Sequence, residues 1–159
     1  MKKLFFISFF LVALVSAKPM QAQTADHEQV KAVIQQLFEG MRKGDSTLVK
    51  ASFADDAILQ TIVRKKDGTD AVRTEALANF LKAVGTPHTD VWDERIVFDQ
   101  VLIDGPLASA WTPYKFYIGD KFSHCGANSF QLARTPAGWK IVYLIDSRRK
   151  EGCEAIAVK

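Results

Sequence analysis

The residues with chemistry to offer are few and lie toward the C-terminal end. The stretch SHCGANSFQL (123–132) sets His124 beside Cys125 in a chain with three histidines and two cysteines. Further on, DSRR (146–149) sets the carboxylate of Asp146 against the guanidiniums of Arg148 and Arg149. An imidazole, with an unperturbed pKa of about 6.5, suits ligand binding or proton transfer near neutral pH. An arginine suits planar, two-pronged contact with an anionic or carbonyl-bearing ligand. A histidine next to a cysteine suggests a catalytic dyad or a metal pair, and both fail on geometry. Neighbouring side chains of a strand point to opposite faces, whereas a dyad needs both groups within hydrogen-bond reach. No C-x-x-C or H-x-x-x-H spacing occurs elsewhere, so the sequence implies no metal and no cofactor.

Which of these residues share a face depends on register. If the Thr135-Pro136-Ala137-Gly138 turn closes a regular hairpin, Cys125 pairs with Arg148 and shares a face with Leu144, Asp146 and Arg148. His124 then shares the other, more apolar face with Asn128, Phe130, Tyr143, Ile145 and Ser147. On that register His124, Asn128 and Tyr143 are the polar groups of an inner surface, where a pocket sets its orienting hydrogen bonds. A one-residue bulge would exchange the faces, so Asp146 and Arg148 stay among the ligand-binding candidates. Trp111 and Tyr114, mid-strand, are candidates for stacking against a flat ligand. Plainer roles stand beside these: a satisfied core histidine for His124, core packing for Trp111, and a solvated ion pair at the sheet rim for Asp146 with the arginines. Asp55-Asp56 reads as a solvated helix end.

The elements that must position them follow from periodicity. Residues 26–43 carry Val30, Val33/Ile34, Leu37/Phe38 and Met41 on one helical face, with acids at the start and Arg42-Lys43-Gly44 at the end. Asp45 caps a short second helix through Phe53. Residues 57–66 read as a strand stopped by Asp67-Gly68. A third helix is predicted over about 70–84, ended by Gly85-Thr86-Pro87. The rest reads as four long strands, 91–104, 107–118, 122–134 and 139–149, joined by short turns and therefore antiparallel. Helices segregated from an antiparallel sheet define an α+β domain.

The N-terminus, MKKLFFISFFLVALVSAKPMQAQ, has two lysines and then an uncharged run from Leu4 to Ala17. That run is shorter than the roughly 20 apolar residues a membrane span requires, and it has the layout of a secretory signal peptide cleaved after Ala17 or Ala22. With residues 1–22 as leader, residues 23–159 have the length of one domain. Lys2, Lys3 and Lys18 lie in the leader and no acid does, which leaves 18 basic residues against 18 acidic. The basic balance of the 159-residue chain is therefore no argument for a nucleic-acid partner, and no membrane span is expected after cleavage. Export to a secreted or periplasmic location puts Cys125 and Cys153 in an oxidising compartment. An even count fits one disulfide tying the C-terminal tail to the sheet. A buried inert thiol and a reactive nucleophile are the alternatives.

The element order resembles the nuclear-transport-factor-2-like superfamily, and the segment from Leu107 to Cys153 is similar to its secreted, lumazine-binding-like bacterial group. The motifs that carry the resemblance are W-x-x-Y-x-F (Trp111, Tyr114, Phe116), S-H-C-G (123–126), G-W-K-I (138–141) and D-S-R-R (146–149). The resemblance implies three helices packed on a strongly curved, mainly antiparallel sheet that forms a cone with a pocket. It also implies a homodimer through the open sheet face. The reading that follows is a small-molecule-binding protein with an aromatic-lined pocket and an unidentified ligand, drawing on Trp111, Tyr114, His124, Asn128, Tyr143, Asp146 and Arg148. The alternative is an enzyme like ketosteroid isomerases or polyketide cyclases, with Asp146 or His124 as base and Tyr114 or Tyr143 as hydrogen-bond donor. A dimeric interaction module is the third reading.

Overall fold

Apolar residues at three- and four-residue spacing make the first element a helix because one continuous stripe can then leave water. In the computed structural model, which describes residues 19–158, this is α1 (Pro19–Lys43), and it buries Val30, Ile34, Leu37, Phe38 and Met41. It begins ahead of the predicted Asp26, with Pro19 in the first turn, where a missing N–H costs little. The leader and its cleavage after Ala17 lie outside the described residues; Ala22, the other cleavage point, falls within α1. α2 (Ser46–Ser52) follows, capped as expected by Asp45, whose carboxylate accepts from Leu48 N at 2.9 Å.

The predicted helix over 70–84 is corrected in its first half. Residues 70–75 form strand β2 (Asp70–Glu75), antiparallel to β1 (Phe53–Arg64), with Arg64 opposite Asp70 and Leu59 opposite Glu75. The reason lies in the turn. Asp67 accepts from Thr69 N and Oγ1 at 2.9 and 2.7 Å, and Gly68 sits at φ +83°. The chain is thereby reversed in a few residues, and Val72 and Thr74, β-branched, fall into the ladder. Only Leu77–Gly85 is helical (α3), burying Leu77 and Val84.

The predicted strand over 91–104 is likewise two strands, β3 (Trp92–Ile96) and β4 (Gln100–Asp104). Both pair with β5 (Leu107–Ile118), β3 along Tyr114–Ile118 and β4 along Leu107–Trp111. Between them β5 carries Pro113, which has no N–H to give to a ladder. The chain meets it with single bonds, Val97 N to Pro113 O (2.9 Å) and Asp99 N to Trp111 O (3.1 Å). β6 (Lys121–Thr135) and β7 (Gly138–Arg149) complete the sheet, whose order is β2-β1-β7-β6-β5-β3 with β4 also on β5. All pairings are antiparallel except β1 with β7.

Register decides the site. The β6–β7 hairpin starts as predicted, Thr135 opposite Gly138 and Leu132 opposite Ile141, then slips by one residue so that Gln131 faces Tyr143. From there Phe130 faces Leu144, Asn128 faces Asp146, Gly126 faces Arg148 and Cys125 faces Arg149. The bulge exchanges the faces of β7: Asp146 and Arg148 turn to the helix side, and Tyr143 turns away. The helix-facing side of the sheet supplies Leu59, Ala108, Ala110, Phe130, Leu132, Trp139 and Ile141 to the core under α1 and α3. Phe38 of α1 meets Phe130 edge-on, with ring centroids 6.2 Å apart.

Candidate functional site

Toward one end of the strands the inner face changes from apolar to polar. β3 brings Glu94, between the inward Trp92 and Ile96; β5 brings Thr112 and Tyr114; β6 brings His124 and Asn128; β7 brings Asp146 and Arg148. These side chains bond one another. Asn128 Nδ2 donates to Glu94 Oε1 at 2.8 Å and approaches Thr112 Oγ1 at 3.3 Å. The Tyr114 hydroxyl lies 3.2 Å from Asp146 Oδ2 and 3.0 Å from Ser147 O, sharing one proton between them. Arg148 Nε donates to Asp146 Oδ2 at 2.7 Å. Tyr114, Thr112 and Asn128 are buried, while Arg148 keeps about half of its side chain (49%) in solvent.

Tyr114 reaches β7 because β6 opposite it carries Gly126. A Cβ there would lie 1.8 Å from Ser147 O and 2.8 Å from Tyr114 Cε1. No side chain fits, so the glycine of S-H-C-G is the passage through which the tyrosine crosses β6.

The electrostatics follow from burial. Glu94 is pushed up from its ordinary 4.5 to about 7, chiefly by desolvation, with the Asp146 charge adding to it and the Asn128 hydrogen bond and Arg148 opposing. Burial, then the charges of Glu94 and Asp146, drive the Tyr114 phenol far above its usual range, so it remains a donor. Burial lowers His124, helped by the cations of Arg148 and Lys150 and opposed by Asp146. Its ring packs against Tyr114 and Phe116, at 5.7 and 5.1 Å between centroids.

Glu94, Asn128, Asp146 and Arg148 line a small cavity of about 90 Å³, together with Leu37, Phe38, Met41, Phe80 and Leu144. Thr61 of β1 also lines it, and its hydroxyl, in a residue 4% exposed, has no hydrogen-bond partner among the described residues. Glu94 and Phe38 also line an open cleft of about 800 Å³ between α1 and β3, reached on its far side by Ala157 of the tail. Cavity and cleft share these two residues as wall.

Of the residues singled out in the sequence, Tyr114, His124, Asn128, Asp146 and Arg148 come together on this face. Trp111 and Tyr143 do not, and their assignment to the pocket is corrected. Trp111 is 46% exposed on the opposite face, since its neighbours Ala110 and Thr112 point inward. Tyr143, turned over by the bulge, donates to Gln60 Oε1 at 2.6 Å on that same outer face. Cys125 and Cys153 form a disulfide. Asp55, 98% exposed, pairs with Lys50 outside the site. Glu94, Thr61 and Thr112 were not singled out. Glu94 had a signal, a carboxylate alternating with Trp92 and Ile96 in WDERI; Thr61 and Thr112 had none.

Three helices against a curled seven-stranded sheet make the α+β cone fold that solved nuclear-transport-factor-2-like (NTF2-like) proteins also have. The family model described as "Putative lumazine-binding" matches residues 25–144, and the chain belongs to that family. An NTF2-like protein of unknown function from Shewanella baltica is 16% identical, over 84% of this chain and 100% of that one, with a TM-score of 0.62. An NTF2-like protein with a cystatin-like fold from Novosphingobium aromaticivorans is 16% identical, over 86% and 89%, with a TM-score of 0.65. A "putative dehydratase from the NTF2-like family" of Streptomyces avermitilis is 16% identical, over 79% and 97%, with a TM-score of 0.59. Likeness at these identities speaks for the fold alone. No curated protein matches the chain significantly.

Proposed function

We propose that the protein binds a small molecule whose polar end enters the cavity at Thr61, Glu94 and Asn128 and whose body lies in the adjoining cleft. The observation that carries this reading is the Thr61 hydroxyl, buried and unpartnered on the wall shared by Glu94, Asn128, Asp146 and Arg148. A buried hydroxyl without a partner costs about 1–3 kcal/mol, and a ligand group that bonds it recovers that cost. The cavity holds only about three waters' volume, far below the roughly 300–1,000 Å³ of a pocket enclosing a whole ligand. The cleft must therefore take the rest. The family description makes lumazine, a flat heterocycle rich in donors and acceptors, the first probe. Fluorescence titration should show saturable binding that weakens about tenfold in Asn128→Leu, which removes one bidentate-capable amide. Absence of lumazine binding, together with no small molecule released on denaturation in native mass spectrometry, would overturn the reading.

One observation favours a second reading, acid–base chemistry. Glu94, with a pKa of about 7, takes and returns a proton near neutrality. In this reading Glu94 replaces Asp146 and His124 as base, since Asp146 is held by Arg148 and Tyr114.

The protein works, in this proposal, as a secreted or periplasmic homodimer. The leader-like N-terminus and the Cys125–Cys153 bridge support an oxidising compartment. Ile58, Ile62, Val72 and Trp111, exposed on the sheet's outer face, support burial against a second copy.

A further inference from the structure

Apart from the cavity and the cleft, the ends of β5, β6 and β7 flank an open concavity of about 470 Å³. Phe116 supplies apolar wall, Ser123 and His124 supply polar groups, and Arg148 and Lys150 supply two cations; no carboxylate lines it. Arg149 also borders it, but it lies opposite Cys125 and its Nε is near Gly152 of the tail, on the other face. Arg148 has its Nε on Asp146. Lys150 enters none of the ion pairs formed among the described residues. Cations gathered around one concavity repel each other, and low-dielectric walls focus their field outward. The arrangement is at its best only with a negative charge between them. His124 contributes a directed donor. Its Nδ1 lies 3.0 Å from Ser123 Oγ, and when Ser123 donates there, Nε2–H is the ring's remaining donor.

We infer that this rim concavity binds an anionic group, a carboxylate or a phosphate, carried on a flat apolar body. Lys150 and the outer edge of the Arg148 guanidinium meet the anion, His124 Nε2 donates to it, and Phe116 packs against the body. The site is separate from the cavity proposed above, and Arg148 is the one residue common to both linings. The charged and titratable groups facing His124 are Tyr114 from β5, Asp146 and Arg148 from β7, and Lys150 beyond it. Arg148 and Lys150 disfavour imidazolium, so a bound anion that offsets them raises the His124 pKa.

The experiment is NMR of the His124 Cε1–H in the mature chain, titrated with phenyl phosphate, benzoate and the neutral benzyl alcohol. Both anions should shift the resonance saturably, and phenyl phosphate should raise the His124 pKa by about half a unit or more. The variant Lys150→Gln should keep the wild-type thermal midpoint and bind either anion several-fold more weakly. An equal response to benzyl alcohol, or undiminished affinity in the Lys150 variant, would overturn the inference. A silent His124 in protein that still binds lumazine refutes the rim site alone. A responsive His124 in protein that does not bind lumazine upholds the rim site and refutes the cavity reading.

Discussion

Glu94 is the residue on which the site turns, because one residue lines both the small cavity and the open cleft. Its pKa of about 7 has a consequence for stability. A carboxyl whose folded pKa lies above its unfolded value binds more protons in the folded state between those two values. Stability is then greatest below about pH 4.5 on this account and falls as pH rises through about 7. Glu94→Gln keeps an acceptor for Asn128 and removes the titration. The variant should match wild type at pH 4 and exceed it by roughly 1–3 kcal/mol at pH 8, read by urea denaturation at both values. A difference independent of pH would mean that Glu94 ionises freely. His124 and Cys125, neighbours in sequence, serve opposite faces: one imidazole at the rim of the site, one sulfur bonded to the tail. That separation was legible from strand alternation. The identity of the inner partners was not, because the bulge between Gln131 and Leu132 reassigns β7.

At the scale of elements, the C-terminal tail is held less by packing than by a covalent bond. Beyond β7 its buried residues are Cys153 and Ile156, which with Cys125 and the adjoining Val158 form a cluster apart from the main core. The Cys125–Cys153 bond closes a separation of 28 residues, worth about 2–4 kcal/mol. Replacing both cysteines by serine should lower stability by that amount and should speed amide exchange over 150–158. Exchange in β5 and β6 should stay slow, since their pairing does not involve the tail. Unchanged exchange in the tail would show that Ile156 alone anchors it. Strand pairing also explains the two misread segments. Local pattern alone made 70–84 a helix and 91–104 one strand; the Asp67-Gly68 turn and Pro113 of a distant strand decided otherwise.

At the scale of the molecule, the sheet has one face packed under helices and one that is open. The open face carries Ile58, Ile62 and Val72 on β1 and β2, near the Tyr143–Gln60 pair, and Trp111 on β5, at 49%, 37%, 57% and 46% exposure. In the proposed homodimer a second copy covers these residues. Sedimentation velocity should find a dimer for wild type at micromolar concentration and a monomer for Ile62→Glu/Trp111→Glu, with the same thermal unfolding cooperativity. A wild-type monomer would contradict the proposal. Trp111 thus moves from the pocket, where its type suggested it, to the face where its register puts it.

The sequence by itself determined the stripe of α1, the cap of α2, the strand-rich second half and the α+β class, because each rests on periodicity or on a turn a few residues long. It also determined which polar residues were scarce enough to matter. Tertiary structure decided which of them meet. A single slipped residue in a hairpin turns every later side chain to the other face, and no local pattern records it. Glu94 meets Asn128 across 34 positions of chain, and Thr61 lines their cavity only because β1 runs parallel to β7. Contacts of that range are set by how the whole sheet closes.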